Sequence, residues 1–332
     1  MSNPVLVEVT RGPLVESIHR GAVVVADADG SIVLALGEVA KPVFPRSAIK
    51  ALQALPLVES GAADRYGFGD EELALACASH SGEPAHVATV ERMLAAAGLD
   101  PSALRCGAHY PMSQAAAYAL ARTGAPSAVH NNCSGKHAGF LCVACAIGVD
   151  HADYFRPEHP VQREVRAVIE DFTGAVLSRE SCAIDGCSVP TWAVPLENLA
   201  RGFAKFGIGR GLAPGRAAAV ARLRHACAQK PWYVAGTGRF CTEIMQLFGR
   251  RVFVKTGAEG VYCAALPELG LGIATKCDDG AGRAAQAIMA ALIARFLPLN
   301  DAERKALTPY MRPSLRNWNG FEVGGVRVTE AV

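Results

Sequence analysis

Charge is scarce in this sequence. Asp, Glu, Lys and Arg make up 19% of its 332 residues, below the roughly one quarter usual for globular domains. The 33 basic and 31 acidic side chains are interspersed, for a formal net charge of +2. There is no basic run and no interleaving of basic with aromatic residues, so nucleic acid is not an expected partner. Long apolar runs are also missing. Phe140–Val149 and Ala287–Ala294 fall well short of the about 20 residues that span a membrane, so no membrane association is expected. The opening Met1–Val7 lacks a basic region followed by an apolar one, and no signal peptide is expected. A paired cysteine framework is absent too, since the eleven cysteines are an odd number in a long chain. Cys77, Cys142, Cys145 and Cys263 lie in apolar stretches, where a reduced thiol behaves as a small hydrophobe. A reducing, cytoplasmic setting is the expectation. Cys133, Cys187 and Cys241 stand apart, beside glycine and polar residues.

With 51% hydrophobic residues the chain can bury a substantial core. Residues 4–9 alternate as a strand, and Ala22–Ala26 and Ile32–Leu36 flank Asp27-Ala28-Asp29-Gly30 as a hairpin. A helix is expected from Arg46 to Leu55, ended by Pro56. Others are expected over 84–97, 113–122, 136–148, 160–173, 216–228 and 239–248. Val252–Thr256, Gly260–Leu266 and Gly270–Lys276 read as an antiparallel meander, followed by a helix at 281–296 and a strand at 321–329. Strands at both ends with helices between predict an α+β fold whose antiparallel sheet is built from both chain ends and flanked by helices. No repeat, low-complexity stretch or linker appears, so the expectation is a single domain over 1–332, with a helical region of about 46–250 inserted between the sheet strands.

Ser47 and Lys50 are three residues apart at the start of the first helix, on one face, where the amine can take the hydroxyl proton. The first turn of a helix also favours developing negative charge. Lysine is a base only when neutral, which burial or a neighbouring cation promotes, and Ile49, Leu52 and Leu55 offer that burial. A solvated helical lysine is the commoner outcome for such a pair. A second element is Phe253-Val254-Lys255-Thr256-Gly257, a strand ending in Lys-Thr-Gly. Serine β-lactamases and penicillin-binding proteins combine such a strand with a Ser-x-x-Lys helix; otherwise Lys255 is an ordinary strand end.

Two loops concentrate reactive side chains. Cys77-Ala78-Ser79-His80-Ser81-Gly82-Glu83 can present Ser79 or His80 to a cleft, or be a helix N-terminal turn capped by Ser81. Asn131-Asn132-Cys133-Ser134-Gly135-Lys136-His137 leads into an apolar helix, and its amides could cradle an anion. Asp185-Gly186-Cys187 forms another turn. Cys133, His137 and Cys187 have a spacing compatible with zinc, but semi-buried thiols are the commoner outcome of such spacing.

Taken together, the chain resembles the Rhizobium-type (class 3) L-asparaginases, a family akin in structure to serine β-lactamases and serine glutaminases. The resemblance is carried by Arg46-Ser47-x-x-Lys50, Cys77-Ala78-Ser79-His80-Ser81, Cys133-Ser134-Gly135-Lys136-His137, Asp185-Gly186-Cys187, Gly238-Arg239-Phe240-Cys241 and the opening Arg11-Gly12-x-x-Val15-Glu16-Ser17-x-His19-Arg20. It implies hydrolysis of L-asparagine, with Ser47–Lys50 and Ser79–Lys255 as two catalytic Ser–Lys pairs. It further implies a zinc ion on Cys133, Lys136 and Cys187, in place of His137 as the nitrogen ligand. Arg46, His137, Asp185 and Cys241 would bind the substrate, and the assembly would be a homodimer.

Overall fold

A computed structural model describes residues 2–332. The chain gathers into two compact units, Met1–Ala48 with Val194–Ile208 and Val254–Val332, and Ile49–Ala193 with Gly209–Phe253.

The first unit holds an eight-stranded sheet: β1 (Val5–Arg11), β2 (Leu14–Asp27), β3 (Ile32–Leu36), β4 (Phe253–Thr256), β5 (Val261–Leu266), β6 (Leu271–Cys277), β7 (Ser314–Arg316) and β8 (Glu322–Val328). Its order is β7-β8-β1-β2-β6-β5-β4, with β3 also on β2. The two chain ends meet in antiparallel register, Val7 opposite Val328 and Val9 opposite Val326. The expected hairpin forms at Asp27, whose carboxylate accepts the N–H groups of Asp29 (3.0 Å) and Ser31 (2.9 Å), an Asx-type turn. Strand β2 is long because it serves two partners: its first half pairs with β1, its second with β6 and β3. Its second half, Ala22–Ala26, and all of β5 are buried, so both faces are covered there and the strands read as continuous apolar runs. Helix Leu196–Ile208, which the sequence pattern did not reveal, packs on β2, β5 and β6, and helix Gly282–Phe296 packs on β6, β5, β8 and β1. At Gly272 a Cβ would lie 1.9 Å from the Ala200 carbonyl oxygen; only glycine lets the helix backbone approach β6 so closely.

The second unit is mostly helical. Helices Pro84–Ala96, Gln114–Thr123, Pro160–Thr173, Pro214–Gln229 and Phe240–Phe248 lie where periodicity places them. At its centre is helix Ser134–Ala146, buried from Ser134 to Ala144 and packed against Leu55–Glu59, Asp70–Ala76, Pro84–Ala96 and Pro160–Thr173. One expectation fails. Pro56 does not end a helix beginning at Arg46; a 3-10 turn Arg46–Ile49 and helix Lys50–Gln53 are followed by a new helix, Leu55–Glu59. Pro56 sits in the first turn of that helix, where its missing N–H costs nothing.

Among the described residues no helix is long and apolar enough to cross a membrane.

Candidate active site

In the second unit, Asn131 shapes the entry to the central helix. Its side-chain oxygen accepts the Cys133 N–H (2.8 Å), and its amide donates to the carbonyls of Cys106 (2.8 Å) and Gly107 (3.1 Å). Gly135 then brings the helix against the preceding layer, since a Cβ there would lie 2.4 Å from the Leu75 carbonyl oxygen. The first turn thereby buries Lys136 and His137.

The Cys77–Glu83 loop lies against this turn. His80 donates its backbone N–H to Asn132 O (3.2 Å). Its Nδ1 accepts the Gly82 N–H (3.1 Å), so Nε2–H donates to Ser134 Oγ (2.9 Å), and that hydroxyl donates to Val129 O (2.8 Å). Burial holds this ring well below the usual histidine pKa. His80 is therefore a neutral clamp within the protein. Ser81 does not cap the next helix: its hydroxyl donates to Ala235 O (2.8 Å), and Glu83 occupies the cap position.

The clamp leaves Ser79 facing Lys50. Lys50 is fully buried, and its Nζ donates to Ala78 O (2.7 Å), Ser79 Oγ (3.0 Å), Cys133 Sγ (3.0 Å) and Asn132 O (3.4 Å). The hydroxyl on the Lys50 amine is that of Ser79.

Beyond Cys133 lie Cys187 and Lys136, with Lys136 Nζ 3.1 Å from Cys187 Sγ. Cys187 projects from the turn between strands Cys182–Ile184 and Pro190–Trp192, where Ser188 adopts φ +77°. Asp185 closes that turn and places a carboxylate oxygen 3.9 Å from Cys187 Sγ. A hydrogen bond from the Cys187 thiol, aided by the neighbouring Lys50 and Lys136 side chains, holds Cys133 well below the usual thiol pKa against burial. Cys187 is pushed up by that same bond and by burial. Burial works to lower the Lys136 pKa, but the two sulfurs and Asp185 outweigh it and raise it.

Two sulfurs and an amine that already touch form a donor set that fits a thiophilic divalent cation such as zinc. Among the described residues no group of three or more His, Cys, Asp or Glu is placed to hold a metal; the trio here includes a lysine in the third position. His137 is not in that trio. Its Nδ1 lies 2.6 Å from the Tyr154 hydroxyl, and its Nε2 is buried without a partner among the described residues. Tyr154 has no motif around it in the sequence, and nothing there would have found it. Cys241 is buried in the first turn of helix Phe240–Phe248.

The first unit carries the other predicted residues. Ser47 is half-buried in the 3-10 turn. Arg46 before it has φ +52°, a strained conformation for a side-chain-bearing residue. Arg46 borders a cleft of about 420 Å³ with charges of both signs, including Glu38, Lys41, Glu259, Lys276 and Asp278. Lys255 is on the edge strand β4, buried, with its amine donating to Thr256 O (3.0 Å).

A buried lysine on a serine hydroxyl is equipment suited to acyl transfer and hydrolysis. The chain belongs to the L-asparaginase II family, which it matches over residues 7–328, and hence to the hydrolases. No curated protein sequence matches it significantly. Among solved structures, it is similar to a β-lactamase from Mycobacterium bovis, with a TM-score of 0.43 and 13% identity over 84% of this chain and 95% of the other. It is also similar to a structure of Mglu in its native form, with a TM-score of 0.39 and 15% identity over 90% of this chain and 69% of the other. These likenesses are remote, and the family assignment rests on the sequence match.

Proposed function

We propose that the protein is a cytoplasmic, homodimeric L-asparaginase that hydrolyses the side-chain amide of L-asparagine to aspartate and ammonia. The observation that carries this reading is the buried Lys50 amine, 3.0 Å from Ser79 Oγ, in a chain of the L-asparaginase II family.

Ser47, the more accessible of the two serines, attacks the amide carbon while neutral Lys50 accepts its proton. Backbone amides, including that of Ser47, stabilise the oxyanion. Lys50 returns the proton to the leaving nitrogen, ammonia departs, and water hydrolyses the aspartyl ester. Ser79 and Lys255 form the second pair and relay protons. Asp185 binds the α-ammonium group, Arg46 and His137 the α-carboxylate, and Cys241 completes the pocket. Cys133, Lys136 and Cys187 would hold zinc, whose positive charge, when bound, would favour an oxygen-rich substrate. The metal supports binding, so chelation raises KM more than it lowers kcat.

A second reading, in which Ser79 is the nucleophile, is favoured by the same Lys50–Ser79 contact. Glutamine is the competing substrate, and its extra methylene is worth roughly 1–3 kcal/mol of discrimination. Ammonia release from both amides, by the intact protein, Ser47→Ala and Ser79→Ala, decides among these. Activity on asparagine that disappears in Ser47→Ala is the expected result. Full activity in Ser47→Ala with none in Ser79→Ala would move the nucleophile, and no activity on asparagine would remove the assignment. In the same assay, a chelated protein with unchanged KM would count against a substrate-binding metal.

A further inference from the structure

His137 and Tyr154 form a buried pair with a definite direction of hydrogen bonding. Both side chains are fully buried, and their rings meet edge to face, with an interplanar angle of 83°. The Tyr154 oxygen accepts the backbone N–H of Arg105 at 2.8 Å. Among the described residues its hydroxyl proton has one acceptor, His137 Nδ1 at 2.6 Å. Were Nδ1 the protonated nitrogen, the phenol would receive two N–H groups and its own proton would be left buried without an acceptor. Placing the histidine proton on Nε2 satisfies both the Tyr154 hydroxyl and His137 Nδ1.

That Nε2–H has no acceptor among the described residues. A buried donor without a partner is costly and marks a place where a ligand completes the bonding. A lone N–H donor calls for an acceptor oxygen, and a carboxylate oxygen makes the stronger, charge-assisted bond.

We propose that Tyr154 is a positioning residue: it locks His137 as the Nε2–H tautomer, and that N–H donates to the α-carboxylate of the amino-acid substrate. The proposal rests on the asparaginase reading for the identity of the substrate, but the tautomer lock does not. No proton is transferred; the pair orients a binding contact, so its loss is felt in KM before kcat.

The test uses the full-length, zinc-supplemented protein. With ¹⁵N-labelled histidine, and His137→Gln to assign the signal, two-bond ¹H–¹⁵N spectra report the tautomer directly. The expected spectrum shows His137 protonated at Nε2, with that nitrogen shifting when L-aspartate is added. In Tyr154→Phe, a mixture of tautomers is expected. KM for L-asparagine should rise by about tenfold with kcat within about twofold of the parent. In a His137→Gln background, where the amide donates without a tautomer to lock, Tyr154→Phe should leave KM unchanged. Protonation at Nδ1 in the parent overturns the lock. An unchanged KM in Tyr154→Phe, or a fall in kcat alone, overturns the positioning role. If asparagine is not turned over, the reading of function fails separately. The lock is then judged by the spectra and the carboxylate contact by L-aspartate titration calorimetry, where weaker binding in Tyr154→Phe supports it and absence of binding overturns it. If Tyr154→Phe does not fold, the parent's spectra with and without L-aspartate decide both points.

Discussion

At the scale of single residues, another buried histidine has a consequence for stability. His86 stacks on Trp232 with ring centroids 3.9 Å apart. Its Nδ1 accepts the Glu83 N–H (3.2 Å), and its Nε2–H donates to Trp232 O (3.2 Å). Burial, opposed by that carbonyl, lowers its pKa from 6.5 to about 4. The folded state therefore resists protonation that the unfolded chain accepts. The stabilisation is fully present above pH 6.5 and is lost as the pH falls towards 4. From His86 alone, roughly 2 kcal/mol should disappear between pH 7 and pH 5. Denaturant unfolding at both pH values checks this, and His86→Gln should show a smaller pH dependence; an equal dependence would assign the effect elsewhere. Residue-level legibility was uneven. Ser47, Lys50, Cys133, Lys136 and Cys187 sit in short motifs. Spacing favoured His137 as the nitrogen ligand and family resemblance favoured Lys136. It is Lys136 that lies 3.1 Å from Cys187 Sγ, while His137 Nδ1 is held by Tyr154. Tyr154 could not be read because a partner seventeen positions away leaves no local pattern.

At the scale of elements, helix Ser134–Ala146 carries Lys136 and His137 with Cys133 at its N-cap, and its position depends on Gly135. A Cβ there would lie 2.4 Å from Leu75 O and 2.6 Å from Leu75 Cγ. Alanine is the better helix former by about 1 kcal/mol, but the clash is with backbone in a packed layer. Gly135→Ala should therefore destabilise the protein by roughly 1–3 kcal/mol and weaken metal retention with it. Unfolding midpoints and metal stoichiometry test this, and unchanged stability would mean that the helix shifts freely. Most elements were legible because their signals are local. The helix at Pro160–Thr173 combines Pro160 in the first turn, five apolar residues on one face and Gly174 at φ +69° after its end. Pro56 misled because a proline that ends one helix and a proline that opens the next look alike until the flanking residues are placed.

At the scale of the whole molecule, the proposed homodimer is tested by sedimentation velocity. A species at twice the monomer mass is expected at assay concentrations, and a monomer that is fully active would remove the dimer from the functional account. The sheet drawn from both chain ends was legible because β-branched, alternating segments at the two ends need partners and the middle of the chain supplied mainly helices. Helix Leu196–Ile208 was not: its membership of the first unit depends on Gly272 admitting it to the sheet, a contact between residues far apart in the chain.

Sequence alone determined the α+β class, the positions of most helices and strands, and the family, because periodicity, caps and rare motifs are carried by neighbouring residues. Tertiary structure decided that the Lys50 amine meets Ser79 and Cys133, that Lys136 rather than His137 meets Cys187, and that His137 is held by Tyr154. Each of these is a hydrogen bond between groups brought together by packing. Its geometry depends on which backbones can approach, as at Gly135, and no spacing along the chain encodes that.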